Sequence, residues 1–189
     1  MILSFHNLIE INRGLSKKKI FRKFENKLSK IIIDFSRDKK EFQNFLNVYD
    51  ILKKINISIP RVYEVYLNDY IIVMEDFGNE TFDKIFHKND IYNLLKLAVD
   101  NLIVIQNSTI NDNLIKLEKY KYNDLKKEIS EFVDFYVPYK KISNFPVEKF
   151  YSYWETNFNN CNFEFTGFIH KDFEFINLIY LKKNNLHLK

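Results

Sequence analysis

Cysteine is almost absent: Cys161 stands alone among 189 residues. One thiol excludes a disulfide within the chain and a zinc site built on cysteines. The histidines, His6, His87, His170 and His187, show no ligand spacing. Glycine occurs only three times, and a single Gly14 lies in the N-terminal region, so a G-x-G-x-x-G phosphate cradle is ruled out. Proline and alanine are also scarce, and neither a low-complexity linker nor an internal repeat interrupts the chain. No apolar run approaches the ~18 residues that a membrane span requires. Met1-Ile2-Leu3-Ser4-Phe5 is too short for a signal peptide, lacks its basic start, and soon meets Glu10 and Arg13. These absences predict a soluble cytoplasmic protein with no membrane partner.

What is present is apolar and aromatic. Hydrophobic residues make up 46% and aromatics 17%, too rich a mixture for disorder and enough to bury a core in one domain or two small lobes. Phe, Tyr, Ile, Lys and Asn dominate, and their A/T-rich codons make much of this bias genomic rather than functional. The formal charge of +4 is discounted for the same reason, since acidic residues are interspersed among the lysines. A nucleic-acid surface needs basic residues gathered on one face, and only Lys17-Lys18-Lys19 with Arg22-Lys23 comes close. No nucleic-acid partner is expected.

Periodicity predicts strands over Ile20–Glu25 and Lys30–Phe35, turning at Asn26-Lys27. A helix follows: Asp38 and Glu41 have capping-box spacing, and Phe42, Phe45, Leu46, Tyr49 and Leu52 share a face. Val62–Tyr66 and Tyr70–Met74 form a hairpin around Asn68-Asp69. The remainder reads as mainly helical: Thr81–His87, then Asp90–Gln106 with Ile91, Leu94, Leu95, Ala98, Leu102 and Ile105 as its core face. Next come Asp124–Tyr136 and a helix opened by Pro146. Leu178–Leu181 and the stretch from Leu186 are strands around a turn at Lys182–Asn185.

Two segments carry chemistry. Ile169-His170-Lys171-Asp172-Phe173-Glu174-Phe175-Ile176-Asn177 spells H-x-D-x-x-x-x-N before an apolar strand. Phosphoryl transfer needs an acceptor hydroxyl aligned on the γ-phosphate and a divalent ion bridging the phosphates. Such a loop supplies both, the Asp holding the hydroxyl and taking its proton and the Asn reaching the metal. Upstream, Tyr70-Ile71-Ile72-Val73-Met74-Glu75-Asp76-Phe77-Gly78 is an apolar strand running into Glu-Asp-aromatic-Gly. Together, in order and about a lobe apart, they resemble the catalytic loop and lobe-connecting segment of the aminoglycoside-phosphotransferase and choline-kinase branch of the kinase-like fold. The members that phosphorylate N-acetylmuramate or N-acetylglucosamine in cell-wall recycling are the nearest match.

The resemblance implies an α+β, protein-kinase-like two-lobe fold, with a small β-rich N-terminal lobe over residues 1–76 and a helical C-terminal lobe over 77–189. It implies an ATP- and Mg2+-dependent transfer to a hydroxyl of a small molecule, an amino sugar first, with an aminoglycoside or choline-type acceptor as alternative. Asp172 is then the catalytic base and His170 holds the loop. Asn177 binds magnesium, Met74 is the gatekeeper, and the backbone of Glu75 and Phe77 meets adenine. Gly14-Leu15-Ser16-Lys17-Lys18-Lys19-Ile20-Phe21-Arg22 lies where the family has its phosphate loop, which makes Ser16, Lys18 and Arg22 phosphate contacts. Glu128–Tyr136 resembles an acceptor-binding helix, with Glu128, Glu131 and Tyr136 as sugar contacts.

There are departures. Lys171 stands where Arg is usual, and Glu174 and Ile176 replace His and Arg. The segment Ile31-Ile32-Ile33-Asp34 lacks the lysine of V-A-I-K, so the partner of Glu41 on the following helix is open. No I-D-F-Q-D or D-x-D segment follows Leu188, so the chain reads as a C-terminally truncated kinase. A non-catalytic remnant or a nucleotide-binding module is the alternative.

Overall fold

The computed structural model of the protein describes residues 8–11, 17–25, 28–55, 57–88, 90–108, 121–161, 168–181 and 186–188. It forms two compact units, Met1–Leu117 with Phe168–Lys189, and Glu118–Gly167. The boundary expected after residue 76 falls inside the first unit.

The first unit begins with an antiparallel sheet. Its strands are β1 (Leu8–Glu10), β2 (Lys19–Glu25), β3 (Leu28–Asp34), β4 (Val62–Tyr66) and β5 (Ile71–Glu75), in the order β1-β2-β3-β5-β4. The central strand β3 is a run of isoleucines because neighbours flank it on both sides: Ile31 lies opposite Arg22 of β2 and Met74 of β5. One face of the sheet packs on α1 (Lys39–Leu52), where Ile33, Phe35, Ile72 and Met74 close over Phe42. Phe35 is fully buried and meets Phe42 and Phe45 at ring distances of 5.8 and 5.6 Å. Burying such a ring contributes about 2–3 kcal/mol.

The start of α1 is set by Asp38, whose carboxylate accepts the Glu41 N–H at 3.0 Å. The expected capping box is only half formed. The Asp38 N–H is taken by the Phe35 carbonyl at 2.8 Å, and the Glu41 carboxylate is bound elsewhere. The β4–β5 hairpin forms as expected, but its left-handed residue is Tyr70, at φ 57°. That costly conformation is held by the Phe42 ring at 5.4 Å and by Lys39 over the Tyr70 ring at 4.8 Å.

A second core supports the loop that precedes β6. It joins Phe82 and Ile85 of α2 (Phe82–Ile85), Leu94, Ala98 and Ile105 of α3 (Ile91–Asn107), and Leu178 of β6 (Leu178–Tyr180). Ile91 and Leu95, expected in this core, are 47% and 43% exposed. Helix α3 is apolar nearly all round, so its periodicity did not select one face. Strand β6 pairs antiparallel with β7 (Leu186–Leu188), as expected, while the turn between them lies outside the described residues.

The second unit holds α4 (Tyr122–Glu131), a π-helical turn over Phe132–Tyr136, α5 (Val137–Tyr139) and α6 (Val147–Asn160). Helix α6 starts directly after Pro146, whose fixed φ suits a helix N-terminus. Phe132 stacks on Phe150 and Tyr136 at 5.4 and 5.0 Å, and Trp154 stacks on Phe158 at 5.3 Å. Among the described residues, no helix is long and apolar enough to cross a membrane.

Candidate active site

The segment after β5 is held from below by one buried ion pair. Asp76 Oδ1 accepts from Arg22 Nη2 at 2.9 Å and from the Gly78 N–H at 2.8 Å, while Oδ2 accepts from Ser29 Oγ at 2.6 Å. Arg22 Nε comes within 2.5 Å of Oδ2, a charge contact whose N–H is not aimed at that oxygen. The two side chains are only 11% and 3% exposed. Arg22 also donates to Asn79 Oδ1 at 2.9 Å and to the Gly78 carbonyl at 3.2 Å. Burial pushes the Asp76 carboxyl up, but the hydrogen bonds from Arg22, Ser29 and Gly78 and the Arg22 charge outweigh it and hold it below the usual carboxylate range. Gly78 sits at φ 85°, where a side chain would be strained, and a Cβ there would meet nothing within 4 Å. Conformation, not crowding, calls for glycine here.

Met74 is buried against Ile33 and Phe42, behind the point where β5 ends. The Glu75 N–H and carboxylate both engage Arg61, whose carbonyl and N–H lie at 2.8 and 3.1 Å. A cavity of about 640 Å³ borders Glu75 and Phe77. Its other walls come from the C-terminal half of α1, the loop to β4 and Leu181. It includes none of Lys18, Arg22, Asp172 or Asn177, so it is not the space between phosphate-binding and catalytic side chains.

Of the phosphate-loop candidates, Ser16 lies outside the described residues. Arg22 is committed to Asp76, as above. Lys18 lies just before β2 and places Nζ 2.6 Å from Glu41 Oε1, both side chains being about one-third exposed or less.

The H-x-D-x-x-x-x-N loop closes on itself. Asn177 Nδ2 donates to Asp172 Oδ2 at 2.8 Å and to the Asp172 carbonyl at 3.1 Å, bringing the two polar ends of the motif together. The intervening phenylalanines anchor the loop: Phe173 and Phe175 pack into the second core, with Phe175 edge-on to Phe82 at 5.9 Å. A single 3-10 turn over Phe175–Asn177 then feeds β6, whose Leu178 and Ile179 are buried. Lys171 is left-handed at φ 65°, which reverses the chain between His170 and Asp172. The Asp172 N–H donates to the His170 carbonyl at 2.9 Å. The His170 ring packs edge-on against Phe173 at 5.5 Å, and its Nδ1 is buried without a hydrogen-bond partner among the described residues. Burial pushes the imidazole pKa down, against a smaller upward pull from Asp172.

This arrangement leaves the Asp172 carboxylate exposed and fixed by one donor. It also leaves Asn177 Oδ1, the atom an amide offers to a metal, outside the Asn177–Asp172 pair. Among the described residues no three His, Cys, Asp or Glu side chains are grouped to hold an ion. Asn177 Oδ1 would be a protein ligand for a divalent ion, which magnesium sites usually complete with carboxylate, phosphate and water oxygens. In the second unit, Glu128 and Glu131 are exposed on α4, and Tyr136 ends the π-turn, 46% exposed with Lys140 over its ring at 5.8 Å.

The residues without an assigned role from sequence were Asp76 and Ser29. Their only signal was an acid two positions before Gly78. Asp76's partners Arg22 and Ser29 lie 54 and 47 residues from it, and separation of that order hides a pair from sequence.

No family model matches the chain. Among curated proteins it is similar to the N-acetylmuramate/N-acetylglucosamine kinase of Pseudomonas aeruginosa (strain PAO1). The two are 23% identical over 130 residues, which are 69% of this chain and 38% of that protein. Among solved structures it is similar to the streptomycin–ATP–APH(2'')-IIa ternary complex, with TM-score 0.63 and 16% identity. It is also similar to ADP-bound aminoglycoside phosphotransferase APH(2'')-Ib, with TM-score 0.65 and 18% identity. Each likeness covers 98% of this chain and 65% of the solved chain, so this chain spans under two thirds of the length of the relatives it matches. A five-stranded antiparallel sheet with α1 on one face, followed by helices and a closed H-x-D-x-x-x-x-N loop, gives the chain the α+β, kinase-like fold of the aminoglycoside phosphotransferases.

Proposed function

We propose that this chain is part of an ATP-dependent phosphotransferase that moves the γ-phosphoryl group to a hydroxyl of a small molecule, an amino sugar. The observation that carries the proposal is the pairing of Asp172 Oδ2 with Asn177 Nδ2 at 2.8 Å. It holds an exposed carboxylate and an amide oxygen at one point on a rigid, aromatic-anchored loop.

In this reading the adenine base binds along Glu75–Phe77, next to Met74, with residues 1–76 as the N-terminal lobe and 77–189 as the C-terminal lobe. Asp172 accepts a hydrogen bond from the acceptor hydroxyl and aims the oxygen at the γ-phosphorus. As the new O–P bond forms and the bond to the ADP oxygen breaks, Asp172 takes the hydroxyl proton. Asn177 would hold a magnesium ion, which would supply positive charge to the transferring group. His170, edge-on against Phe173, braces the loop. Glu128, Glu131 and Tyr136 carry the resemblance to an acceptor-binding helix. Support for an amino sugar comes from the curated relative and from that acidic, aromatic helix. A second reading, an aminoglycoside acceptor, is favoured by the streptomycin-bound structural neighbour. We place the reaction in the cytoplasm, where ATP is supplied.

The test is transfer of labelled phosphate from ATP to N-acetylmuramate or N-acetylglucosamine, with kanamycin-type aminoglycosides as competing acceptors. Asp172→Asn is expected to lower kcat by about 10²–10⁴-fold with little change in ATP affinity. Near-full turnover by Asp172→Asn would overturn the catalytic assignment.

A further inference from the structure

We propose that the cavity between the end of α1, the loop into β4 and the segment Glu75–Phe77 is a second ligand site, which takes a small monocarboxylate with an apolar body. This site goes beyond the phosphotransferase reading and stands or falls apart from it.

Strand order sets the cavity apart from the nucleotide's phosphates. In the sheet β1-β2-β3-β5-β4, Arg22 belongs to β2, on one side of β5, while β4 lies on the other. The cavity is lined by Arg61 and Val62, where β4 begins, and by no residue of β1, β2 or β3. Strand β5 therefore stands between it and the basic side chains of β2.

The walls are fixed by contacts of their own. Tyr49 and Lys53 are four residues apart and share one face at the end of α1, where the Lys53 N–H donates to the Tyr49 carbonyl at 2.9 Å. Ile57 and Ile59 pack against the second core, which pins the loop between α1 and β4. The Val62 N–H donates to the Tyr49 hydroxyl oxygen at 3.0 Å, tying β4 to α1. At about 640 Å³ the cavity has the volume of a small-molecule site.

The polar groups around it are mostly donors. The Tyr49 hydroxyl accepts from Val62 and keeps its own O–H to give, and Ser58 adds a second hydroxyl. Lys53 and Arg61 are exposed, and among the described residues neither side chain enters an ion pair. Against these two cations stands one carboxylate, Glu75, whose Oε2 accepts the Arg61 N–H at 3.1 Å. Two positive charges against one negative attract a single further negative charge, whereas a dianion would meet Glu75 with no third cation to offset it. The guanidinium fork matches a carboxylate through two parallel hydrogen bonds. Ile57, Ile59, Val62, Phe77 and Leu181 line the rest, so the body of the ligand is apolar.

Titration with naphthoate, naphthylmethanol and naphthylmethylammonium, followed by backbone amide shifts, tests this in the wild type, Arg61→Met, Arg61→Lys and Lys53→Met. Naphthoate is expected to saturate by millimolar concentration, with shifts gathered at Ser58, Ile59, Val62 and Phe77. The alcohol should bind about tenfold or more weakly, and the ammonium weaker still. Arg61→Met should weaken naphthoate by about tenfold, the worth of a charge-assisted hydrogen bond, Lys53→Met should act in the same direction, and Arg61→Lys should lose less. Both side chains are exposed, so amides away from the cavity should keep their positions in these variants. Equal affinity for naphthoate and the alcohol, or naphthoate binding unchanged in both Arg61→Met and Lys53→Met, would overturn the inference. So would an absence of saturation, or shifts spread over exposed apolar residues such as Leu95 and Val99. Should Arg61→Met fail to fold, Lys53→Met and the comparison with the alcohol decide. A protein that binds ATP but not naphthoate loses this site and keeps the nucleotide reading, and the opposite result loses that reading alone.

Discussion

Truncating Asp76 to alanine takes away the acceptor of three hydrogen bonds and leaves the Arg22 guanidinium, 11% exposed, without its counter-charge. Removing one partner of a buried ion pair costs about 3–5 kcal/mol. Domain stability is typically about 5–15 kcal/mol, so this single change should consume about a fifth or more of it. For a chain of this size each kcal/mol lowers Tm by about 2–4 °C, which gives a drop of about 6–20 °C. Arg22→Met should cost a similar amount, because Asp76 keeps the Ser29 hydroxyl and Gly78 N–H but loses its positive charge. Arg22→Lys should not restore the loss, since an ammonium cannot reach Asp76, Asn79 and the Gly78 carbonyl with one rigid fork. Urea unfolding of the wild type, the two single variants and Arg22→Met/Asp76→Ala closes a double-mutant cycle, and the double variant should be clearly more stable than the sum of the singles predicts. Losses below about 1 kcal/mol in both singles are what exposed pairs give, and would refute the buried clamp.

The same carboxylate sets a pH dependence. Its folded pKa lies below its unfolded one, so its stabilisation is complete above the ordinary carboxylate range and is lost as pH falls through the folded value. The stability gap between wild type and Asp76→Ala should therefore be constant from pH 7 to about 5 and narrow below about 4, measured by urea midpoints across that range. Phe82 is fully buried against Phe175 and Tyr180, at ring distances of 5.9 and 6.5 Å. Phe82→Ala should cost about 3–5 kcal/mol, and hydrogen exchange should quicken first at residues 172–177, whose anchor it removes.

Much of this fold was legible because its signals are local. The α1 start at Asp38, the β2–β3 and β4–β5 pairings and the helix after Pro146 each follow from a cap, an alternation or a proline within a few residues. Strand β1 was missed: Leu8-Ile9-Glu10 is too short to show a period, and it becomes a strand only by pairing with Phe21–Lys23. The helix expected over Asp124–Tyr136 breaks into α4 and a π-turn, where Phe132 stacks on Phe150 across the unit. The H-x-D-x-x-x-x-N spacing lets Asp172 and Asn177 meet in one hydrogen-bonded pair. Charge alone could not divide the work of Lys18 and Arg22, because their partners Glu41 and Asp76 lie 23 and 54 residues away.

The central claim is a kinase-like nucleotide site at the end of β5, and ATP binding tests it most directly. Titration of the protein with ATP and magnesium, followed by backbone amide shifts, should perturb Glu75, Asp76, Phe77 and Gly78 in a saturable manner, with adenosine producing the same pattern there. No perturbation of these four amides at millimolar ATP, or strong salt-dependent binding to DNA or RNA in its place, would contradict it.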